Sequence, residues 1–250
     1  MKFSKAWLQT YSKDKLPETK ALVDVVTFNA FEIEDVTQVQ GDDVLDIKVL
    51  PNRAHDALGH RSMARDMCAL LGTTFVDPHT YYQGEGTTQV KQPSISIADP
   101  GACSRFMSVR IDGVKVTDSP LWLKERLEAI GQKSINSIVD ITNFVQFSIN
   151  KPMHAYDASL VQGNSLAARY AKSGETLTTL DDKSLSLDES TLVIADADKP
   201  LGLAGIKGGK FSGISSLTTS VILESANFNG ALIRKTSQKY GIKTDASKRF

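Results

Sequence analysis

Residues 140–157 read DITNFVQFSINKPMHAYD. The stretch sets Thr142, Asn143 and His154 on a helix and on the turn that leaves it, among otherwise apolar residues. Pro152 cannot continue a helix, so the helix stops before it and the following residues stand off its end. Polar groups gathered at the end of an element and walled by apolar side chains suit a small-molecule pocket. A plainer arrangement, a capped helix with one hydrogen-bonded core histidine, satisfies the same residues, and the stretch alone favours it.

Working outward toward the N-terminus, Pro17 opens a helical pattern, PETKALVDVVTFN, with Leu22, Val25 and Val26 on one face. Alternation over 31–36 and again over 44–49 predicts two half-buried strands, paired through a turn at Gly41-Asp42-Asp43. In PNRAHDALGHRSMARDMCALLG, Met63, Met67 and Leu71 lie at helical spacing with Ala64 and Cys68 alongside, and Gly72 is the stop. These elements predict a small α/β domain over 1–80. The turn-rich run DPHTYYQGEGTTQVKQP follows, with a linker at 81–93.

From residue 94 to 250 the pattern predicts a larger mixed α+β domain, making the chain α+β overall. Met107, Val109 and Ile111 alternate with polar residues and predict a strand that buries those three. Ser119-Pro120 supplies a cap and first-turn proline to a helix whose stripe is Leu123, Leu127 and Ile130, stopped by Gly131. Short strands follow the opening stretch at 167–171 and 192–195, with a hairpin around Asp181-Asp182 between them. There is no repeated βαβ rhythm and no internal repeat.

Composition narrows the function classes. Among 250 residues the 29 basic and 29 acidic side chains balance, so nucleic-acid binding requires local clustering. Cys68 and Cys103 match no metal-ligand spacing, and no metal site is expected. The N-terminus lacks a signal-peptide core and no apolar run reaches membrane-spanning length, which predicts a soluble, cytoplasmic protein without a membrane partner.

Three further stretches carry chemistry. LGLAGIKGG exposes backbone without side-chain shielding, which suits either a binding wall or a pair of tight turns. It matches no nucleotide fingerprint, and a nucleotide-dependent oxidoreductase is excluded with it. In TSVILES, alternation places Ile222 and Glu224 on one face. A carboxylate continuing a buried face must find a donor or be protonated, whereas a strand end that reaches solvent, which the strand alone favours, needs neither. The last twenty residues hold six basic side chains against one acid, Asp245. Arg234, Lys235, Lys239 and Lys243 among them suit a phosphate backbone, or equally a solvated helix face.

Taken in order, MKFSKAWL, PNRAHDALGH with MARD, VDITNF with KPMHAYD, LAGIKGG, VILESANF and TDASKRF resemble the beta subunit of bacterial phenylalanyl-tRNA synthetase over nearly the whole chain. Two features depart from that family. Val39-Gln40-Gly41 runs straight on where the family commonly inserts an oligonucleotide-binding-fold domain, and the chain stops at Phe250 inside a motif the family continues. The resemblance implies a fragment of a longer subunit that holds an editing domain, which hydrolyses tyrosine wrongly attached to tRNA(Phe). It implies His154, Thr142 and Asn143 as catalytic residues, with Glu224, Ala204, Gly205 and Gly208 against the substrate. It further implies an alpha-subunit partner in an α2β2 assembly, tRNA(Phe), and ATP and magnesium for the whole synthetase but no cofactor in this piece. A non-catalytic tRNA-binding or alpha-subunit-docking module is the competing expectation.

Overall fold

A computed structural model describes residues 1–78 and 89–250. Helices alternate irregularly with strands that form, among the described residues, one five-stranded, two three-stranded and one two-stranded sheet, so the chain is α+β. Its contacts divide into two compact units that are not contiguous in sequence. The first takes the described residues to 78 together with Ser119–Ile135 and Asn143–Lys151, and the second takes the remainder. The single boundary expected at 81–93 differs from this division, and residues 81–88 of that linker lie outside the described residues. The reason is physical: the apolar stripe of helix Leu121–Ala129 finds its cover among N-terminal side chains.

In the first unit Ile33–Val39 pairs antiparallel with Asp42–Ile47 across a two-residue turn, Gln40 and Gly41, both with positive φ. That turn falls slightly earlier than the expected one and matches the tight geometry that suits a twisted hairpin. Lys2–Ser4 pairs on the other side of Asp42–Ile47 and makes it the central strand, an element too short to be legible from alternation. Helices Thr19–Asn29, His60–Leu71 and Leu121–Ala129 bury Leu22, Val26, Met63, Met67, Leu123 and Leu127 with Trp7, Leu45 and Ile47 in one core. Each fully buried leucine there contributes roughly 1.5–3 kcal/mol. Helix Leu121–Ala129 has Pro120 at its N-cap position, one residue later than the cap expected at Ser119.

In the second unit the long strand Ser220–Phe228 lies between Cys103–Asp112 and His154–Asp157, antiparallel to both. The five-stranded sheet runs Lys207–Gly208, Pro200–Leu203, Leu192–Ala195, Ser165–Tyr170, Ser94–Ile97, with only the last pair parallel. Apolar side chains from both sheets fill the core, among them Phe106, Tyr156, Leu166, Ile194, Leu201, Ile222 and Ala226. The hairpin expected around Asp181-Asp182 is formed by Thr176–Thr178 and Ser184–Ser186. One expectation is reversed: Met107, Val109 and Ile111 are 51%, 44% and 42% exposed, while Phe106 on the opposite face is buried. Alternation separates two faces, but it does not say which one meets the second sheet.

Candidate functional site

Asn136 caps the helix Ser137–Ile149, its side-chain oxygen accepting from the Ile138 and Val139 amides at 3.1 and 3.0 Å. The helix ends at Ile149, Asn150 takes a positive φ of 61°, and Pro152 follows. His154 is then the first residue of strand His154–Asp157, not part of a turn as expected. That strand places it directly across from Glu224 on Ser220–Phe228, with Tyr156 across from Ile222. Side chains of directly paired residues share a sheet face, so His154, Tyr156 and Glu224 converge.

They line a cavity of about 70 Å³ with Met153, Gly205, Lys207, Gly208, Phe228 and Phe250. Glu224 is 7% exposed, and its Oε2 accepts a hydrogen bond from the Tyr156 hydroxyl at 2.6 Å. Burial pushes the Glu224 carboxyl up to about 7, and the Tyr156 hydrogen bond opposes that shift. The Tyr156 phenol is itself held well above its usual range, by burial first and by the neighbouring carboxylate second. Burial pushes His154 down to about 4, which keeps the ring neutral at physiological pH. Its Nε2 has no hydrogen-bond partner among the described residues, and the ring meets Tyr156 edge-on at 4.5 Å between centroids.

The glycines act by absence. A Cβ on Gly208 would stand 2.6 Å from His154 Nε2, so only glycine lets that strand approach the imidazole. Gly205 has φ +65°, and a Cβ there would meet the Phe228 and Phe250 rings at 2.9–3.0 Å. Phe250 packs edge-on against Phe228, and Thr244 Oγ1 donates to the Ile206 carbonyl at 2.9 Å, joining the TDASKRF segment to the glycine-rich wall. Lys207 lines the cavity, but its ammonium is paired with Asp181 at 2.8 Å, leaving the aliphatic stem as the wall.

The structure thus brings His154, Glu224, Gly205 and Gly208 together. Thr142 and Asn143 share the expected helix but are not among the cavity's lining residues; Thr142 Oγ1 donates to the Val139 carbonyl at 2.7 Å. Ala204 is buried in the core rather than on the cavity wall. Sequence reasoning missed Tyr156, although HAYD places it two residues beyond His154 and so on the same strand face. It also missed Ser108, whose buried Oγ has no partner among the described residues and which pairs across the other side of Glu224. Of the basic residues, Arg234, Lys235, Lys239 and Lys243 are exposed on or just beyond helix Gly230–Tyr240, and Lys239 is paired with Asp188. Arg249 is buried and donates to the Asp245 carbonyl at 2.6 Å. No helix among the described residues is long and apolar enough to cross a membrane.

A model of the B3/4 domain matches residues 102–250, and the chain belongs to that family. It is also similar over most of its length to beta subunits of phenylalanine–tRNA ligase. That of Protochlamydia amoebophila is 42% identical over 209 residues, covering 84% of this chain and 26% of the relative. That of Solibacter usitatus is 42% identical over 230 residues, covering 90% and 29%. That of Aquifex aeolicus is 42% identical over 213 residues, covering 84% and 26%. The chain therefore spans about a quarter of the length of these relatives. A crystal structure of an N-terminal fragment of the Pyrococcus horikoshii phenylalanyl-tRNA synthetase beta subunit aligns with 96% of this chain and 73% of its own, at 12% identity and a TM-score of 0.49.

Proposed function

We propose that the cavity between His154 and Glu224 is an editing pocket, hydrolysing the ester of tyrosine wrongly attached to tRNA(Phe), within a phenylalanine–tRNA ligase that also contains an alpha subunit. The observation that carries this reading is the pairing of Glu224 with His154 across one sheet face, both on one small cavity. Glu224 already accepts a phenolic hydroxyl from Tyr156, which is the chemistry that distinguishes tyrosine from phenylalanine. A site built to hydrogen-bond that hydroxyl rejects the analogue lacking it by about 10⁴–10⁵-fold, because a buried polar group would be left unpaired.

Hydrolysis adds a water oxygen to the ester carbonyl carbon. The bond to the ribose oxygen breaks, and that oxygen takes a proton. A general base works best with a pKa near the operating pH. His154, pushed down to about 4, is poorly matched to that role and suits a hydrogen bond that positions the water or the carbonyl. The ribose hydroxyl next to the ester is a candidate to help activate the water. Neither Thr142 nor Asn143 lines the cavity, and the Thr142 hydroxyl is engaged by the Val139 carbonyl, so no step of the hydrolysis is assigned to them. ATP and magnesium are assigned to aminoacylation by the complete synthetase.

The cavity is about half the roughly 150 Å³ that accommodates benzene in an engineered protein core, so the tyrosyl ring enters by displacing side chains of the wall. The experiment is tyrosine release from preformed tyrosyl-tRNA(Phe) by the complete synthetase. Glu224→Ala is expected to abolish the preference for tyrosyl over phenylalanyl ester, and an unchanged rate of tyrosine release would refute the assignment.

A further inference from the structure

Tyr156 has no role in the reaction as described, yet it occupies the same face as the two polar residues that do. Its hydroxyl donates to Glu224 Oε2 at 2.6 Å, within the range of a strong, charge-assisted O–H···O⁻ bond. The register explains why the contact forms: Tyr156 pairs with Ile222, so Glu224 is its diagonal neighbour two residues along the partner strand. Tyr156 is 2% exposed, and its ring is pinned edge-on by His154, so the hydroxyl cannot swing away without repacking the strand. No hydrogen bond to Glu224 Oε1 occurs among the described residues.

We propose that Tyr156 is a positioning residue that sets the specificity of the cavity: by saturating Oε2 it aims the Glu224 carboxylate so that Oε1 accepts one incoming phenolic hydroxyl. The inference rests on the editing proposal only for the identity of the acyl group. The side chain does two things at once. It fixes the rotamer of a carboxylate that would otherwise be free to turn toward the buried Ser108 hydroxyl on the far strand. It also stabilises the ionised form against the desolvation that raises it. Few other charges face Glu224. His154 on the same strand as Tyr156 is neutral, Ser108 on the strand Cys103–Asp112 does not titrate near neutrality, and the Lys207 ammonium is engaged by Asp181. The substrate class is accordingly narrow: an aromatic acyl ester with a ring hydroxyl able to donate to a carboxylate that already holds one phenol.

The test uses the complete synthetase carrying Tyr156→Phe, which keeps the ring and removes only the donor. The probes are non-hydrolysable amides of tyrosine and of phenylalanine on 3′-amino-3′-deoxyadenosine, whose binding is followed from pH 5.5 to 9. The parent is expected to prefer the tyrosyl probe with a midpoint near neutrality. Tyr156→Phe is expected to lower that preference about tenfold at pH 7 and to recover only part of it at pH 9, since losing the donor moves the carboxyl midpoint upward and leaves the ionised carboxylate without the contact that aims it. In a Glu224→Gln background the pH dependence should vanish and Tyr156→Phe should change nothing further. An unmoved midpoint overturns the proposal, because a packing role alone would leave the midpoint where it is. Tighter binding of the tyrosyl probe by Tyr156→Phe also overturns it, since Tyr156 would then be competing with substrate. Probe discrimination that follows these expectations, with no tyrosine release from tyrosyl-tRNA(Phe) by the same enzyme, would support the specificity role and refute the editing reading, which separates the two.

Discussion

His60 and His154 both sit among apolar side chains, and their ring nitrogens tell them apart. In His60, Nε2 accepts from the Ser4 amide at 3.2 Å, Nδ1 lies 2.9 Å from the Phe147 carbonyl, and the ring stacks on Trp7 at 3.9 Å. That is the satisfied core histidine which the opening stretch suggested for His154. His154 instead keeps an unpartnered Nε2 at a cavity. Nothing in either local sequence separates the two, because hydrogen-bond satisfaction depends on strands distant in the chain. Glu224 was partly legible: alternation placed it on the face of Ile222 and left a solvent-exposed strand end open, whereas it is buried, and naming its donor Tyr156 needed the strand register. Its raised carboxyl has a consequence for stability. The unfolded group ionises near 4.5 and the folded one near 7, so folding is favoured while the group is protonated, and that advantage is lost as the pH rises through 7. Glu224→Gln is expected to raise stability at pH 8 by on the order of 3 kcal/mol, with the gain vanishing below pH 4.5, as read by urea unfolding at the two pH values.

At the scale of elements, the helices with a single apolar stripe were the most legible. Met63 and Met67 on one helix, and Leu123 and Leu127 on another, are buried, with Gly72 and Gly131 at the stops. Strands were less so. Lys2–Ser4 and Lys207–Gly208 are too short to show a period, and Cys103–Asp112 buries the face opposite to the one its Met107, Val109 and Ile111 suggested. The glycine-rich stretch left a binding wall and a pair of turns as alternatives, and it combines turn geometry with residues that line a cavity. Gly205 takes a left-handed turn, while Gly208 is a strand residue pressed against the imidazole. Gly208→Ala is therefore expected to push His154 out of place and slow tyrosine release at least tenfold, while unfolding shifts by only about 1–3 kcal/mol, the range for overpacking. Parallel rate and denaturation measurements on the variant check this; equal losses in both would point to simple unfolding.

For the whole molecule, balanced charge gave no hint of a polyanionic partner, and the basic residues near the C-terminus reduce to fewer free charges than their number suggests. Arg249 is buried and Lys239 is paired with Asp188, whereas Arg234, Lys235 and Lys243 are exposed. If this surface meets a tRNA backbone, Lys235→Ala or Lys243→Ala should each lessen the steepness of log affinity against log salt by about 0.7–0.9, and Lys239→Ala by less. Filter binding of tRNA(Phe) across a salt series measures it, and an unchanged slope for all three would place the tRNA elsewhere. The division into units was the least legible feature at this scale. Contacts formed by the stretches 119–135 and 143–151 assign them to the N-terminal unit, which no composition shift or linker signal announces.

The central claim is that His154 and Glu224 form one hydrolytic pocket selective for a phenolic ester. It is tested most directly by the ratio of deacylation rates for tyrosyl-tRNA(Phe) and phenylalanyl-tRNA(Phe) in the complete synthetase, measured for the parent and for His154→Ala. The account predicts a large parental ratio in favour of the tyrosyl ester and, in His154→Ala, a tyrosyl rate reduced at least a hundredfold. Tyrosyl deacylation at the parental rate in His154→Ala, or a parental ratio near one, would contradict it.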